Sequence, residues 1–257
     1  MNHPEPWTDL IARWDAQQGV YIPQRDAMYE AMFEALAHLR PAEELVVLDL
    51  ACGPGAISRR LLDRFPAARA VAVDVDPVLL RLGRGAYGDA DGRLRWAGVD
   101  LRDPDWPQRL GPDGAAGTFD AVLSSTALHW LDPATLAATY RRCHELLRPD
   151  GVLLNADYLP HPAAGRLRDL SAAMADERQD RAVATGAESW DAWWEAVAAE
   201  PALAEALDER SALWPEGSRD WTGPTLAFHE TALLEAGFAE AGTLWQDLNE
   251  RILVALK

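Results

Sequence analysis

The sequence predicts an α/β fold built on an open, mostly parallel sheet with helices on both faces. Between residues 45 and 157, short apolar runs alternate with helical patterns. The runs are rich in Val and Leu without strict polar alternation, as strands buried on both faces should be. A loop with two glycines follows the first run. Strands that alternate with helices form parallel sheets with right-handed crossovers.

Five strands are predicted in this alternating region. They are LVVLDL (45–50), AVAVDV (70–75), LRWAGV (94–99), FDAVLSS (119–125) and GVLLNADY (151–158). The clearest helix covers residues 133–147, where Asp132 can cap the first turn and Pro133 suits its start. Near the end of the chain, TLAFHETALLEAGF predicts a helix. AGTLWQDLNE and RILVALK predict two strands close enough in sequence to pair antiparallel.

Two helical regions lie outside the alternation. RDAMYEAMFEALAHL has a helical apolar stripe in an N-terminal arm, and residues 160–222 are helical by pattern, with breaks at Pro201 and Pro215. We therefore expect four parts. They are a helical N-terminal arm or lid (1–40), an α/β core (41–159), a helical cap insertion on the substrate side (160–222), and a C-terminal helix and β-hairpin that complete the core sheet (223–257).

Composition excludes several classes of partner. The formal net charge of −17 and pI near 4.7 argue against nucleic acid and anionic membranes, which require a basic face. Cys52 and Cys143 suggest no disulfide, so a reducing compartment is expected. MNHPEPWTDL does not have the pattern of a signal peptide, and no apolar run approaches the ~18 residues of a membrane span. We expect a cytoplasmic protein, with a homodimer left open.

Tryptophan is concentrated in the arm and the insertion. These segments hold seven of the eleven tryptophans: Trp7, Trp14, Trp190, Trp193, Trp194, Trp214 and Trp221. One interpretation is that the indoles pack these pieces onto the core. The other is that the arm and insertion form a lid over a pocket with aromatic walls. The sequence leaves both open.

The loop in VVLDLACGPGAISRRLL (46–62) predicts a nucleoside-binding site. Open parallel sheets bind ligands beyond the carboxyl ends of their strands, and this loop follows the first strand. Gly53 and Gly55 are expected to clear space for the ligand. Asp74 ends the second strand 21 residues after Gly53, a spacing at which a carboxylate can accept hydrogen bonds from ribose hydroxyls.

Two residues, Ser58 and Asp49, favour S-adenosylmethionine over a dinucleotide as the ligand of this loop. Dinucleotide-binding loops have a third glycine where this chain has Ser58. Asp49, in the strand before the loop, would repel a pyrophosphate but attract the amino group and sulfonium of S-adenosylmethionine. An NAD(P)-dependent oxidoreductase is therefore the weaker alternative. A protein that binds the cofactor or another ligand without turnover also stays open.

On these motifs the chain resembles the class I S-adenosylmethionine-dependent methyltransferases. LDLACGPG is similar to their first motif, VDVDP to the second, GVDLRDPDW to the third, FDAVLSSTALHWL to the fourth, and LLRPDGVLL to the turn into the fifth strand. The resemblance covers residues 45–157. It implies a Rossmann-like seven-stranded sheet in the order 3-2-1-4-5-7-6, with the last strand antiparallel.

The resemblance also implies the residues that hold the cofactor. Asp74 would bind the ribose, Val75 would lie against the adenine, Asp100 would take its exocyclic amine, and Leu101 would flank the ring. Ser124 and Ser125 would face the methionine part. The predicted cofactor set is Tyr21, Arg25, Asp49, Ala51, Cys52, Gly53, Pro54, Gly55, Asp74, Val75, Asp76, Asp100, Leu101, Ser124, Ser125 and His129.

ALHWL is also similar, more loosely, to methyltransferases of the trans-aconitate type. In that group the N-terminal arm closes over the cofactor. The analogy makes Tyr21 and Arg25 candidates to reach it, with Arg25 pairing with the methionine carboxylate. A salt bridge at the surface is the alternative for Arg25.

His129 is the candidate catalytic residue. It follows the fourth strand, where the methyl group should point in this fold, and its ordinary pKa range suits a base. A base is needed only if the nucleophile loses a proton. The alternative is that His129 packs beside Trp130 as a positioner.

The predicted substrate pocket comprises Tyr21, Trp130, His161, Trp193, Trp194 and Trp221, with His229 a weaker candidate. No metal site is predicted, because the six histidines are dispersed.

The sequence therefore predicts an enzyme that moves a methyl group from S-adenosylmethionine to a small-molecule acceptor, leaving S-adenosylhomocysteine. Whether an O, N or C atom is methylated is left open. Aromatic walls would favour a planar, apolar or cationic acceptor.

Overall fold

The computed structural model describes residues 6–41, 44–160, 165–184, 186–214 and 223–257. Within these ranges, one seven-stranded sheet has the order β3-β2-β1-β4-β5-β7-β6, which confirms the predicted topology. Its strands are β1 (Val46–Leu50), β2 (Arg69–Asp74), β3 (Leu94–Gly98), β4 (Phe119–Ser125), β5 (Leu147–Tyr158), β6 (Glu240–Asp247) and β7 (Glu250–Leu256). β7 pairs antiparallel with β5 and with β6, and the remaining pairs are parallel.

The first four strands agree with the predicted bounds to within one residue at either end, and two later bounds differ. β5 begins at Leu147 because Phe119 pairs with Leu147 before Ala121 pairs with Val152. Asp150, with a φ of 60°, lies in the stretch that loops out between these pairs. Glu250 was predicted in β6 but begins β7. The chain turns just before it, with a φ of 53° at Leu248.

Nine helices cover the sheet in the described part of the chain. They are α1 (Pro6–Tyr21), α2 (Arg25–Leu39), α3 (Ala56–Arg64), α4 (Pro77–Tyr87), α5 (Pro133–Leu146), α6 (Arg166–Ala184), α7 (Trp190–Ala198), α8 (Ala204–Leu213) and α9 (Leu226–Glu235). Asp132 caps α5 as predicted, accepting from the backbone N–H groups of Ala134 and Thr135. The break at Pro201 is confirmed, because a 3-10 turn separates α7 from α8. Pro215 lies outside the described residues. No helix among those described is long and apolar enough to cross a membrane.

Apolar side chains form a core on each face of the sheet. On the first face, Val47 of β1 and Leu123 of β4 pack with Met32 of α2. On the second face, residues of the same strands pack with Tyr140 of α5 and Leu233 of α9. We call these the α2 face and the α5 face. Because side chains alternate along a strand, the face of each site residue follows from its neighbours.

The cap helices α6, α7 and α8 cross the carboxyl edge of the sheet. α6 follows β5, and its Arg178 pairs with Asp247 beside the β6–β7 turn at 2.6 Å. α8 lies against α4, where Arg210 pairs with Asp76 at 2.7 Å. β7 begins opposite the end of β5, so the β6–β7 turn lies at the carboxyl edge. The cap is therefore anchored on the β7 side of the carboxyl edge through α6 and on the β2 side through α8.

Candidate functional site

The glycine loop joins β1 to α3 through three left-handed residues. Ala51, Gly53 and Gly55 have φ values of 56°, 55° and 87°. The N–H of Cys52 donates to the carbonyl of Val73 at 2.9 Å, which fixes the loop against β2. The loop and the first turn of α3 therefore lie at the carboxyl edge, where a ligand of an open parallel sheet binds.

Gly53 and Gly55 differ in the space that a side chain would have at each position. A Cβ at Gly55 would lie 2.4 Å from the Trp96 ring, and one at Gly83 of α4 would lie 2.5 Å from the same ring. Trp96 of β3 thus occupies the space beside Gly55, with its N–H donated to the Gly88 carbonyl at 2.8 Å. The expectation that Gly55 clears space for a ligand is wrong on this side, because an indole fills it. At Gly53 the nearest atom to a Cβ is 3.9 Å away, so that side is open.

Asp49 is a buried carboxylate with one satisfied oxygen. Oδ2 accepts from the N–H of Ser58 at 2.9 Å and from its hydroxyl at 2.6 Å. Oδ1 is buried and has no hydrogen-bond partner among the described residues. Burial raises the pKa of Asp49 to about 7, against the hydrogen bonds from Ser58. Ser58, at the third-glycine position, therefore holds Asp49 through Oδ2 and leaves Oδ1 without a donor from the described part of the chain.

Asp74 fastens the second strand to the loop. Its carboxylate accepts from the N–H of Gly53 at 2.7 Å and from the N–H of Asp76 at 2.8 Å. Burial raises its pKa to about 6, although these backbone hydrogen bonds oppose the shift. A ribose would share this carboxylate with the two N–H groups, which position it at the strand end.

Asp76 has a structural use for each of its oxygens. Oδ1 caps α4 by accepting from the N–H groups of Val78 and Leu79, and Oδ2 accepts from Arg210. The guanidinium of Arg210 also lies 4.0 Å from the centroid of the Trp194 ring. Asp76 therefore ties the cap to α4, the helix that follows β2.

The predicted adenine residues lie beside each other after β2 and β3. The N–H of Val99 donates to the Asp74 carbonyl at 2.8 Å, which brings the two strand ends together. Val75 and Leu101 are both half-buried. Both oxygens of Asp100 accept hydrogen bonds from Arg102, which lowers the pKa of Asp100 against the opposing effect of burial. An adenine amine would share this carboxylate with Arg102.

The two serines at the end of β4 differ. Ser124 donates to the Leu50 carbonyl at 2.8 Å and lies on the α5 face. The Ser125 hydroxyl is buried and has no hydrogen-bond partner among the described residues. Asp49 pairs with Leu123 across the β1–β4 ladder, so Asp49 and Ser125 both project from the α2 face. Two unpartnered oxygens, Asp49 Oδ1 and Ser125 Oγ, therefore lie on one face beside the glycine loop.

His129 is held by a residue that the sequence analysis missed. Its ring Nδ1 donates to Oδ1 of Asp157 at 2.5 Å, and its backbone N–H donates to Oδ2 at 3.0 Å. Burial lowers the pKa of His129, but the charge of Asp157 and this hydrogen bond outweigh it and raise the pKa. Asp157 is fully buried on β5. Its signal was visible, because Asn155 and Asp157 alternate with apolar residues in a strand predicted to be buried.

The ring of His129 also lies beside Trp130, as the positioning alternative predicted. Their centroids are 5.1 Å apart, and Trp130 is 49% exposed. His229 is fully buried on α9, where its Nδ1 lies 2.6 Å from the Tyr140 hydroxyl, and burial lowers its pKa to about 4. Its Nε2 is buried and has no hydrogen-bond partner among the described residues. The weaker expectation that His229 faces the substrate pocket stays a prediction.

Arg25, at the start of α2, is paired within the arm, and the arm also pairs with α3. Arg25 is buried and pairs with Asp15 at 2.5 Å, and Arg60 of α3 pairs with the same carboxylate at 2.6 Å. A contact between Arg25 and a methionine carboxylate thus stays a prediction that would require this pair to rearrange. Tyr21 is 41% exposed at the end of α1.

The cap tryptophans pack mainly against the arm. Trp193 is fully buried and donates its ring N–H to the Leu10 carbonyl at 2.9 Å. Its ring lies 4.7 Å from that of Trp14 and 5.0 Å from that of Trp194. Placing Trp193 in a substrate pocket is therefore wrong for this conformation, because no surface of it is exposed. Trp194 is half-buried beneath Arg210, and His161 and Trp221 lie outside the described residues.

Comparisons with known proteins agree with this geometry. Residues 47–151 match a family model described as a methyltransferase domain. The chain is 35% identical over 141 residues to a trans-aconitate 2-methyltransferase from Azoarcus sp., covering 54% of this chain and 49% of that protein. It is 28% identical over 109 residues to a malonyl-[acyl-carrier protein] O-methyltransferase from Acetivibrio thermocellus, covering 42% and 34% respectively.

A solved structure of an O-methyltransferase family protein from Burkholderia thailandensis superposes with a TM-score of 0.61. The two chains are 17% identical, and the match covers 96% of this chain and 59% of that one. At this identity the match shows the fold. The chain spans half or less of the length of the curated relatives named above.

Proposed function

This chain belongs to the class I S-adenosylmethionine-dependent methyltransferases, and we propose that it transfers a methyl group from that cofactor to a small-molecule acceptor. The observation that carries the proposal is the pair of buried, unpartnered oxygens beside the glycine loop, Asp49 Oδ1 and Ser125 Oγ. Buried polar atoms are normally hydrogen-bonded, so their lack of partners indicates a polar ligand.

The residues at the carboxyl edge fit this cofactor. Asp49 Oδ1 can accept from the amino group of the methionine part, and Ser125 can serve the same polar end. Asp74 can accept from the ribose hydroxyls, and Val75 and Leu101 can pack on the adenine. A dinucleotide fits less well, because Asp49 would repel its pyrophosphate. Raised pKa values at Asp49 and Asp74 also fit a site that a cationic ligand completes.

S-adenosylmethionine, when bound, supplies an electrophilic methyl group that a nucleophile displaces in line from sulfur. The chain's own contribution is to align the acceptor and to manage its proton. A Nδ1–H donated to Asp157 makes Nε2 the basic nitrogen of neutral His129. His129 can then accept the proton that a hydroxyl, amine or carbon acid loses, and Asp157 stabilises the resulting imidazolium.

In this proposal the arm and the cap together form a lid over the carboxyl edge of the sheet. The cap is anchored on both sides of the carboxyl edge, and Trp193 and Trp14 join it to the arm. The Arg210–Asp76 pair fastens it on the cofactor side, and the Arg178–Asp247 pair fastens it on the acceptor side. A covered edge excludes water from the transfer, and acceptor selectivity would reside beneath the cap.

Calorimetric titration with S-adenosylhomocysteine, in parallel with NADH, tests the cofactor. We expect wild type to bind S-adenosylhomocysteine and not NADH. Asp74→Ala should weaken binding roughly 10- to 100-fold, the range for lost hydrogen bonds to a charged group. Asp89→Ala is the matched control, because Asp89 is exposed in the turn before β3. Binding of NADH alone, or equal affinity in wild type and Asp74→Ala, would contradict the proposal.

A further inference from the structure

Glu250, at the start of β7, is a half-buried carboxyl group without an assigned use. Its Oε2 is buried and has no hydrogen-bond partner among the described residues. Burial raises the pKa of Glu250 to about 7, with a smaller contribution from the charge of Asp157. A carboxyl oxygen that loses water and gains no partner is costly, and such groups in native structures call for an explanation.

Glu250 lies on the same face of the sheet as the two unpartnered oxygens of the proposed cofactor site, Asp49 Oδ1 and Ser125 Oγ. Ile252 packs on the α2 face, so alternation places Glu250 on the same face. Asp49 of β1 and Ser125 of β4 project from that face as well, at the same carboxyl edge. The unpartnered oxygens thus form a row across β1, β4 and β7. Glu250 lies two strands beyond Ser125, roughly 10 Å along the sheet at the usual strand spacing.

His129 lies near Glu250 but on the other side of β5. Asp157 holds His129 from the α5 face, and Glu250 pairs with Tyr158 across the β5–β7 ladder. The two groups are close enough that the charge of Glu250 contributes to the raised pKa of His129. A molecule above the end of β5, past the methionine site, would therefore have His129 on one side and Glu250 on the other.

The charges at this end favour a particular kind of molecule. Asp157, Asp247 and Glu250 are acidic, and Arg178 is already paired with Asp247 at 2.6 Å. Arg251 is buried, with a pKa that burial lowers. An ionised carboxylate at this end would meet the charges of Asp157 and Asp247, and that of Glu250 once it is ionised, whereas a hydroxyl or ammonium group would supply the donor that the buried Oε2 lacks.

We propose that Glu250 is an acceptor-binding residue. With His129 it brackets the acceptor, and it selects molecules that present a hydrogen-bond donor, a hydroxyl or a protonated amine, over carboxylate acceptors. The inference rests on the proposed methyltransferase function. It separates this chain from the relative whose name specifies trans-aconitate, a carboxylate.

Probe binding to the protein loaded with S-adenosylhomocysteine tests this assignment. Tyramine presents both a hydroxyl and an ammonium group. Catechol presents hydroxyls alone, and phenethylamine presents an ammonium group alone. Trans-aconitate presents carboxylates and no such donor. We expect tyramine and at least one single-donor probe to bind, and trans-aconitate not to bind. Catechol binding would assign the hydroxyl, and phenethylamine binding would assign the amine.

Two variants make the test specific. Glu250→Gln keeps the shape but removes the charge, and should weaken binding of the donor probes about tenfold or more. Glu230→Gln, the same change at a half-buried residue on α9, should leave binding within about twofold of wild type. Because the charge of Glu250 raises the pKa of His129, that pKa, titrated by NMR, should also fall in Glu250→Gln, which checks that the two groups lie close enough to contact one molecule.

The proposal is overturned if trans-aconitate binds more tightly than every donor probe, if no donor probe binds the loaded protein, or if Glu250→Gln binds donor probes like wild type. An unfolded Glu250→Gln variant would be recognised by circular dichroism. In that case Glu250→Asp, which keeps the charge but shortens the reach, should show the same order of probes with weaker binding. Failure to load S-adenosylhomocysteine at all would instead count against the proposed function.

Discussion

The cofactor end and the acceptor end of the sheet edge are built in different ways. At the cofactor end, Asp49, the glycine loop and Asp74 come from one strand–loop–helix–strand segment, and backbone N–H groups hold the two carboxylates. At the acceptor end, His129, Asp157 and Glu250 come from three separated parts of the chain. A shared cofactor can be bound by a local motif, whereas an acceptor site is assembled by tertiary structure.

The difference also appears in how each end is held. At the cofactor end, Trp96 fills the space between the loop and α4. The acceptor end depends on side-chain pairs that span distant elements, such as His129–Asp157 and Arg178–Asp247. Substitutions at the acceptor end should therefore lower kcat more than they lower the free energy of unfolding. Substitutions in the glycine loop should mainly lower the free energy of unfolding.

The largest expected effect is on methyl transfer. His129→Ala should lower kcat by about 10²- to 10⁴-fold with a hydroxyl or amine acceptor selected by the probe test, the usual contribution of a general base. Asp157→Asn should lower kcat by a smaller factor and shift the acidic limb of the pH profile downward, because His129 loses the charge that raises its pKa.

Calorimetry with S-adenosylhomocysteine provides the control for both variants. If His129 and Asp157 act on the acceptor, the cofactor affinity of both variants should match that of wild type; weaker cofactor binding in His129→Ala would instead support the place of His129 in the predicted cofactor set. A loss of cofactor affinity equal to the loss of kcat would remove the distinction between the two ends. Unchanged kcat in His129→Ala would leave His129 as a packing partner of Trp130.

The next effect is on stability. Gly55→Ala places a Cβ 2.4 Å from the Trp96 ring at a φ of 87°, so it combines a clash with backbone strain. We expect it to lower the free energy of unfolding by about 1–3 kcal/mol more than Gly53→Ala. Gly53→Ala is the matched control, because its φ is 55° but its nearest neighbour is 3.9 Å away. Urea unfolding measures both.

Adding Trp96→Leu to each variant sharpens the comparison. The second substitution should recover part of the loss in Gly55→Ala and none of the loss in Gly53→Ala. Equal losses in the two alanine variants would show that Trp96 does not determine the fit of the loop.

The smallest effect is on the pH dependence of cofactor binding. Asp49 has a pKa raised from 3.8 to about 7, so the folded protein without ligand binds more protons than the unfolded chain. Its contribution to stability is therefore present below about pH 4 and is lost as the pH rises through 7. An amino cation favours ionised Asp49, so S-adenosylhomocysteine should bind more tightly as the pH rises from 6 to 7, by up to about tenfold, and release a proton.

Calorimetry in buffers of different ionisation enthalpy measures this proton release. Asp49→Asn should abolish most of it while the fold persists, because an amide can still accept from Ser58. Proton release that is unchanged in Asp49→Asn would assign it to Asp74, whose pKa is raised to about 6.

The sequence by itself determined the first four strands to within one residue, through their apolar runs, and its motifs predicted the sheet order through the resemblance to a known family. It also predicted the residues of the cofactor end, which stay a proposal. Apolar periodicity fixes strands and helices locally, and the glycine loop and Asp74 are separated by a single helical connection. Only the tertiary structure decided that Trp96 fills the space beside Gly55, that Trp193 packs instead of lining a pocket, and that Asp157 and Glu250 flank His129. These contacts join residues far apart in the chain, and the register and alternation of strands, which no local pattern records, bring them together.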